Sequence, residues 1–217
     1  MKYDITLDTF VISDTHFGHK AVMKKEPIRK LTLKYSGFTR FDELQVYRWN
    51  NVVGANDKVL HLGDLYFDTG YKYLPRLHGE KILVVGNNDI GKFKRVEKMR
   101  EWQVCHKLKL QIPNAKRIKA RLRAKFSSTQ LKDPYANAIV LDLDGERVMF
   151  SHFPVFNRKK DDRFCLARDV LDEAYKLCGC SLNIHGHTHT KKTYNRFCIN
   201  ACCEELEFAP IRLRELL

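Results

Sequence analysis

Short apolar runs, each ending in polar residues, recur along the chain. Phe10-Val11-Ile12-Ser13 leads into Asp14-Thr15-His16, and Lys58-Val59-Leu60-His61-Leu62 into Gly63-Asp64. Lys81-Ile82-Leu83-Val84-Val85 leads into Gly86-Asn87-Asn88-Asp89. Arg147-Val148-Met149-Phe150 leads into Ser151-His152, and Leu182-Asn183-Ile184 into His185-Gly186-His187-Thr188-His189. These runs are too short for helices and rich in aliphatic residues, so they predict buried strands. Helical patterns lie between and after them, over 41–53, 71–77, 92–102 and 166–177. The last has Leu166, Val170, Leu171, Ala174 and Leu177 on one face and Gly179 as its stop. Strand alternating with helix predicts a layered α/β fold. Asp144-Gly145 between two apolar runs predicts a hairpin. In such folds ligands bind beyond the carboxyl ends of strands, where these polar tips fall.

The segment 105–132 differs, with nine basic residues and no acidic one. Arg117, Lys119, Arg121, Arg123 and Lys125 alternate with Ile118, Ala120, Leu122, Ala124 and Phe126. That period of two predicts a half-buried strand with a cationic face. Residues 106–112 alternate likewise, and Pro113-Asn114-Ala115 separates the two stretches, so a basic β-hairpin insertion is expected. Its face either binds a polyanion, which would relieve the repulsion of like charges, or protects an edge.

Composition narrows the class. A chain of 217 residues fits a single domain, 1–217, carrying that insertion. With 44% apolar and 11% aromatic residues it can bury a core, which excludes disorder. No apolar run reaches the ~18 residues that span a bilayer, and Asp4 and Asp8 interrupt any signal-peptide core. A cytoplasmic protein with no membrane partner is expected. The seven cysteines are odd in number and match no disulfide framework, so reduced thiols are expected. Cys178, Cys180, Cys198, Cys202 and Cys203 fit no common zinc module. The 39 basic against 26 acidic residues give +13, a field that favours anionic partners, nucleotide or nucleic acid among them.

Chemistry concentrates in the strand tips. Asp14, His16, Asp64, Asn87, His152, His187 and His189 are oxygen or imidazole donors suited to divalent transition metals. His61, inside a strand, is expected in the core, and His185 is placed to orient a ligand from behind.

The ordered set Asp14-Thr15-His16, Gly63-Asp64, Gly86-Asn87-Asn88-Asp89, His152 and Gly186-His187-Thr188-His189 resembles the calcineurin-like metallophosphoesterases. That family shows D-x-H, G-D, G-N-H-D, a lone His and G-H-x-H in the same order, and the likeness runs over residues 10–190. It implies a two-sheet β-sandwich flanked by helices. It implies two divalent ions, manganese foremost, with iron, nickel, cobalt and zinc also suitable. Asp14, His16 and His189 would hold one ion, Asn87, His152 and His187 the other, and Asp64 would bridge them. Hydroxide formed on the metals would attack phosphorus in line. Asp64, Asn88, Asp89 and His19 are the expected catalytic group.

One position departs from the family. Asn88 stands where the family has His, and an amide cannot deliver a proton to a leaving group. General acid catalysis is typically worth ~10²–10⁴-fold, and its loss matters less for activated or strained cyclic diesters. The expected activity is therefore a phosphodiesterase on a cyclic nucleotide, a 2′,3′-cyclic end or nucleic acid. His19 and Asn88 would touch the substrate, with Arg117, Lys119, Arg121, Arg123 and Lys125 along the polymer. The alternatives are a phosphomonoesterase and a non-catalytic interaction module on the same fold.

Overall fold

The structure is a computed structural model that describes residues 2–157 and 162–217. Its strands in chain order are β1 (Phe10–Ile12), β2 (Lys58–His61), β3 (Glu80–Val84), β4 (Trp102–Cys105), β5 (Leu108–Gln111), β6 (Ala138–Leu143), β7 (Glu146–Ser151), β8 (Leu182–His185), β9 (Cys198–Asn200) and β10 (Ile211–Arg212). Helices are α1 (Val22–Lys25), α2 (Pro27–Tyr35), α3 (Phe41–Val52), α4 (Phe93–Val96), α5 (Ala115–Lys125), α6 (Ser128–Leu131), α7 (Cys165–Cys178) and α8 (Leu213–Leu216).

The strands form two five-stranded sheets, ordered β10-β1-β2-β3-β4 and β5-β6-β7-β8-β9. In the first sheet β1 to β4 are parallel, and only β10 runs antiparallel. Alternate side chains explain the layering. Val11, Leu60, Ile82 and Val84 meet Ile139, Leu141, Val148, Phe150 and Ile184 between the sheets. Phe10, Ile12, Val59, Leu83 and Val85 face outward, under Leu44 and Trp49 of α3. Ala138, Val140 and Met149 face the opposite way, under Ile118 and Leu122 of α5 and Leu171 and Ala174 of α7. The result is the two-sheet sandwich flanked by helices that the family resemblance implied. Among the described residues no helix is long and apolar enough to cross a membrane.

The turn signals hold. Asp144 and Gly145 take positive φ (49° and 85°) in the hairpin joining antiparallel β6 and β7. Gly179 ends α7 in the left-handed conformation, φ 68°.

The basic β-hairpin is corrected. Residues 106–112 contribute β5, but Ala115–Lys125 is an α-helix. Topology gives the reason. β5 pairs with β6 in parallel, and parallel neighbours need a crossover rather than a tight turn; α5 lies on that crossover. Ile118 and Leu122, four apart, are the buried residues of the helix, while Ala120 and Ala124 are exposed. The apparent period of two arose because alanines occupied the intervening apolar positions. Arg117, Lys119, Arg121 and Arg123 are exposed and, two residues apart on a helix, point to opposite sides. Lys125 pairs with Glu173 of α7 at 2.7 Å.

Two helical patterns change as well. Residues 92–102 yield only α4 before the chain becomes β4, whose Trp102 is buried beside β3. Residues 71–76 fall in a 3₁₀ helix, Asp68–Arg76, that accommodates Pro75, and Leu77 lies just past its end.

A helix and a strand over 115–125 expose different alanines. Ala120→Glu should change stability by no more than about 0.5 kcal/mol in urea unfolding. Leu122→Ala should cost about 2–5 kcal/mol. A strand would penalise both.

Candidate metal centre

Five loops leave the carboxyl ends of β1, β2, β3, β7 and β8 and meet at one edge of the sandwich. Sharp turns make this convergence possible. Asp14, His16, Asp64, His187 and His189 all have left-handed backbones, with φ of 56°, 50°, 56°, 70° and 50°. The loops also touch backbone to backbone. A Cβ on Gly86 would lie 2.6 Å from both Asp64 N and Asp64 Oδ1, and one on Gly186 would lie 2.0 Å from Ser13 Oγ.

Asp14 shows what the centre is built to receive. Its Oδ2 accepts hydrogen bonds from Ser13 Oγ (2.6 Å), His187 N (2.8 Å) and Cys202 Sγ (3.3 Å). Its Oδ1 is buried without a partner, 3.7 Å from His16 Nε2 and 3.8 Å from His189 Nε2. His16 Nε2 is likewise unpartnered, and lies 3.6 Å from Asp64 Oδ2. Buried polar atoms left bare cost free energy unless something satisfies them. A divalent cation among Asp14, His16 and His189, whose donor atoms lie within 4.8 Å of one another, fits that need.

A second group adjoins it. Asp14, Asp64 and His152 also offer donor atoms within 4.8 Å of one another. His152 Nε2 lies 3.6 Å from Asp64 Oδ1, 3.0 Å from Asn87 Oδ1 and 3.3 Å from His187 Nδ1. His152 Nδ1 donates to Leu62 O (2.9 Å), which leaves Nε2 free to coordinate. The two groups share Asp14, and Asn87 and His187 adjoin the second through His152 Nε2.

Electrostatics keeps the carboxylates ionised. Burial alone would raise Asp14, but His152, His16 and His189 hold it well below the usual carboxylate range. Asp64 is held down against its burial by His152 and His16. Burial lowers His187 to about 3, with His152 adding to the effect.

The family model for calcineurin-like phosphoesterases matches residues 7–191. The chain belongs to the calcineurin-like phosphoesterase family. The curated relative MJ1445 of Methanocaldococcus jannaschii, an uncharacterized protein, is 32% identical over 85 residues, which cover 37% of this chain and 46% of that one. The chain thus spans about half the length of that relative. The crystal structure of AQ665 from Aquifex aeolicus, a protein of unknown function, superposes with a TM-score of 0.66 at 26% identity, covering 95% of this chain and 96% of that one.

Within this calcineurin-like frame, the third loop carries Asn88 and Asp89 against the Asp64 loop. Asn88 turns onto Asp64, its backbone N–H donating to Oδ1 (2.8 Å) and its Nδ2 to Oδ2 (2.5 Å). Asp89, expected among the catalytic residues, has another task. Its Oδ2 accepts from Asp64 N and Gly86 N (both 2.8 Å) and its Oδ1 from Leu65 N (3.0 Å), so it ties the second loop to the third. His19 is half-buried beside the centre, its Nδ1 3.2 Å from His16 Nδ1 and its ring stacked on Phe67. Burial, with His16, Lys25 and Lys92, lowers it to about 4.

His61 is a core residue, as expected. Its Nε2 bonds Thr15 Oγ1 (3.0 Å), and its Nδ1 accepts from Gly63 N (3.2 Å). Thr15 Oγ1 donates in turn to Leu65 O (2.8 Å), so the imidazole holds one tautomer and links two loops. His185 donates through Nδ1 to Gly186 O (2.8 Å) and, among the described residues, bonds no metal-group side chain, so it braces the loop backbone. Sequence patterning missed Arg29, Gln45 and Glu204. Arg29 and Gln45 sit in helices and Glu204 lies past β9, outside every motif, so no local signal marked them.

Asp89→Asn would set an amide against three N–H donors. It should cost about 1–3 kcal/mol in urea unfolding and weaken divalent-metal uptake. Burial lowers His61 to about 3, so the folded state holds it neutral while the unfolded chain protonates near pH 6.5. The metal-free protein should therefore lose stability as pH falls below about 6.5, and a pH series of melting temperatures should show a smaller loss for His61→Gln.

Proposed function

We propose that the protein is a dinuclear-metal phosphodiesterase that hydrolyses a nucleotide-like diester, such as a cyclic nucleotide or a 2′,3′-cyclic end. The observation that carries this is the convergence of Asp14, His16, Asp64, His152 and His189, with Asn87 and His187 beside His152, on a buried point where, among the described residues, Asp14 Oδ1 and His16 Nε2 lack partners. Asp14, His16 and His189 would hold one divalent ion, and Asn87, His152 and His187 the other. Asp64 would serve both, since its Oδ2 faces His16 and its Oδ1 faces His152, each at 3.6 Å. Mixed imidazole and oxygen donors suit manganese first, and iron, nickel, cobalt or zinc. Bound there, such ions polarise phosphoryl oxygens and lower the pKa of water towards about 7.

The chain's own residues supply orientation and charge. Asn88 fixes the Asp64 carboxylate with two hydrogen bonds and has no proton to give. His19, lowered to about 4, stands neutral at pH 7 and can only offer a hydrogen bond. Neither can protonate a strongly basic leaving alkoxide. A strained cyclic diester suffers least from that lack, which favours it over a simple monoester.

The charge of +13 draws anions in general. Arg117, Lys119, Arg121, Arg123 and Lys125 spread around α5 instead of lining one face, so a short nucleotide is favoured over a polymer. The seven cysteines are free thiols, which supports a reducing, cytoplasmic setting.

Matched mono- and diesters, assayed with Mn²⁺, decide the matter. The native protein should prefer diesters, and Asp64→Asn or chelation should abolish turnover. Asn88→His should raise monoester turnover by up to the ~10²–10⁴-fold of a general acid. A native preference for alkyl monoesters would overturn the diesterase assignment. Oligonucleotide cleavage that weakens steeply with salt would restore the polymer as substrate.

A further inference from the structure

We propose that Glu204, anchored by Arg29, is a positioning residue that sets the divalent-metal affinity of the Asp14–His16–His189 group. The inference rests on the ligand assignment above and extends it to two residues outside every motif.

Arg29 comes from α2 and is 0% exposed. Its Nε lies 2.7 Å and its Nη2 2.6 Å from Glu204 Oε1. Nη2 also donates to Asp14 O (2.6 Å), and Nη1 to Thr15 O (3.0 Å). Cys203 Sγ, 3.1 Å from Nη2, completes the shell. One guanidinium thus grips the backbone that carries Asp14 and His16, and at the same time the carboxylate of Glu204.

Glu204 passes that grip to the third donor. His189 Nδ1 lies 2.9 Å from Glu204 Oε1 and donates to it. The ring is thereby held with its Nε2 3.8 Å from Asp14 Oδ1 and its face stacked on the His16 ring. A carboxylate behind a ligating imidazole selects the tautomer, holds the ring and makes the coordinating nitrogen a better donor. Arg29 offsets the charge of Glu204, so the carboxylate sits beside a cation site without the cost of an unpaired buried ion. Among the described residues no carboxylate is hydrogen-bonded behind a ring of the Asn87–His152–His187 group: His152 Nδ1 donates to a neutral carbonyl, Leu62 O, and His187 Nδ1 faces His152 Nε2. Loss of Glu204 should therefore affect the two groups unequally.

Calorimetric titration of the metal-free protein with Mn²⁺ reads occupancy directly. In Glu204→Gln one of two binding events should weaken 10–100-fold, and the other should stay within about twofold. Two unchanged affinities in a folded variant would overturn the proposal. A residue of purely structural importance would lower the melting temperature of the metal-free protein without separating the two affinities. If Glu204→Gln does not fold, imidazole nitrogen shifts of the Zn²⁺-loaded native protein decide. Metal on His189 Nε2 with a proton on Nδ1 supports the assignment, and metal on Nδ1 refutes it. A protein that binds two ions but cleaves no diester would refute the activity proposed above and leave this inference standing.

Discussion

The centre depends on one backbone constraint: five of its seven donor residues, Asp14, His16, Asp64, His187 and His189, hold left-handed conformations. Each such residue costs about 1–3 kcal/mol. The conformation has a use. In Asp14-Thr15-His16 and in His187-Thr188-His189 it turns the first and third side chains towards one pocket. Thr15 points the other way, to His61 and Leu65 O. Strain of this kind persists only where the surroundings over-determine it. Here Asp89 collects three N–H groups from two loops, and Arg29 and Gln45 both donate to Thr15 O. Gly63 and Gly86 pass too closely for a Cβ on either.

Charge follows from the same geometry. Asp14, Asp64, Asp89 and Glu204 are all buried, and the buried guanidinium of Arg29 meets the Glu204 carboxylate and the Asp14 carbonyl. His152, His16 and His189 hold Asp14 down as partial compensation. An interior this rich in carboxylates is completed by cations, so metal binding and folding stability are linked through the same side chains. The two bare atoms, Asp14 Oδ1 and His16 Nε2, mark where that completion falls.

The sandwich explains why residues so far apart in sequence can cooperate. Parallel β1, β2 and β3 in one sheet, and parallel β7 and β8 in the other, send their tips to a common edge. His152 reaches across from the second sheet to Leu62 O and Asn87 of the first, and His187 to Asp14. Asn88, turned onto Asp64, makes the third loop a brace for a shared carboxylate.

Local order in the chain determined the strands with polar tips, the seven donors, the Asp144-Gly145 hairpin and the stop at Gly179, because each is written in adjacent residues. It misjudged 115–125, since alternating apolar and basic residues satisfy a strand and a helix equally when half the apolar positions are alanine. Only the parallel pairing of β5 with β6, a long-range fact, required the crossover and made α5 a helix. It also left Asp89, Arg29 and Glu204 without their roles. Those roles are hydrogen bonds across 24, 14 and 15 residues or more of chain, and partners so distant acquire meaning when packing of the two sheets brings them within 3 Å. Residue types and spacing determined which chemistry the protein could hold; tertiary structure decided which side chains hold it in place.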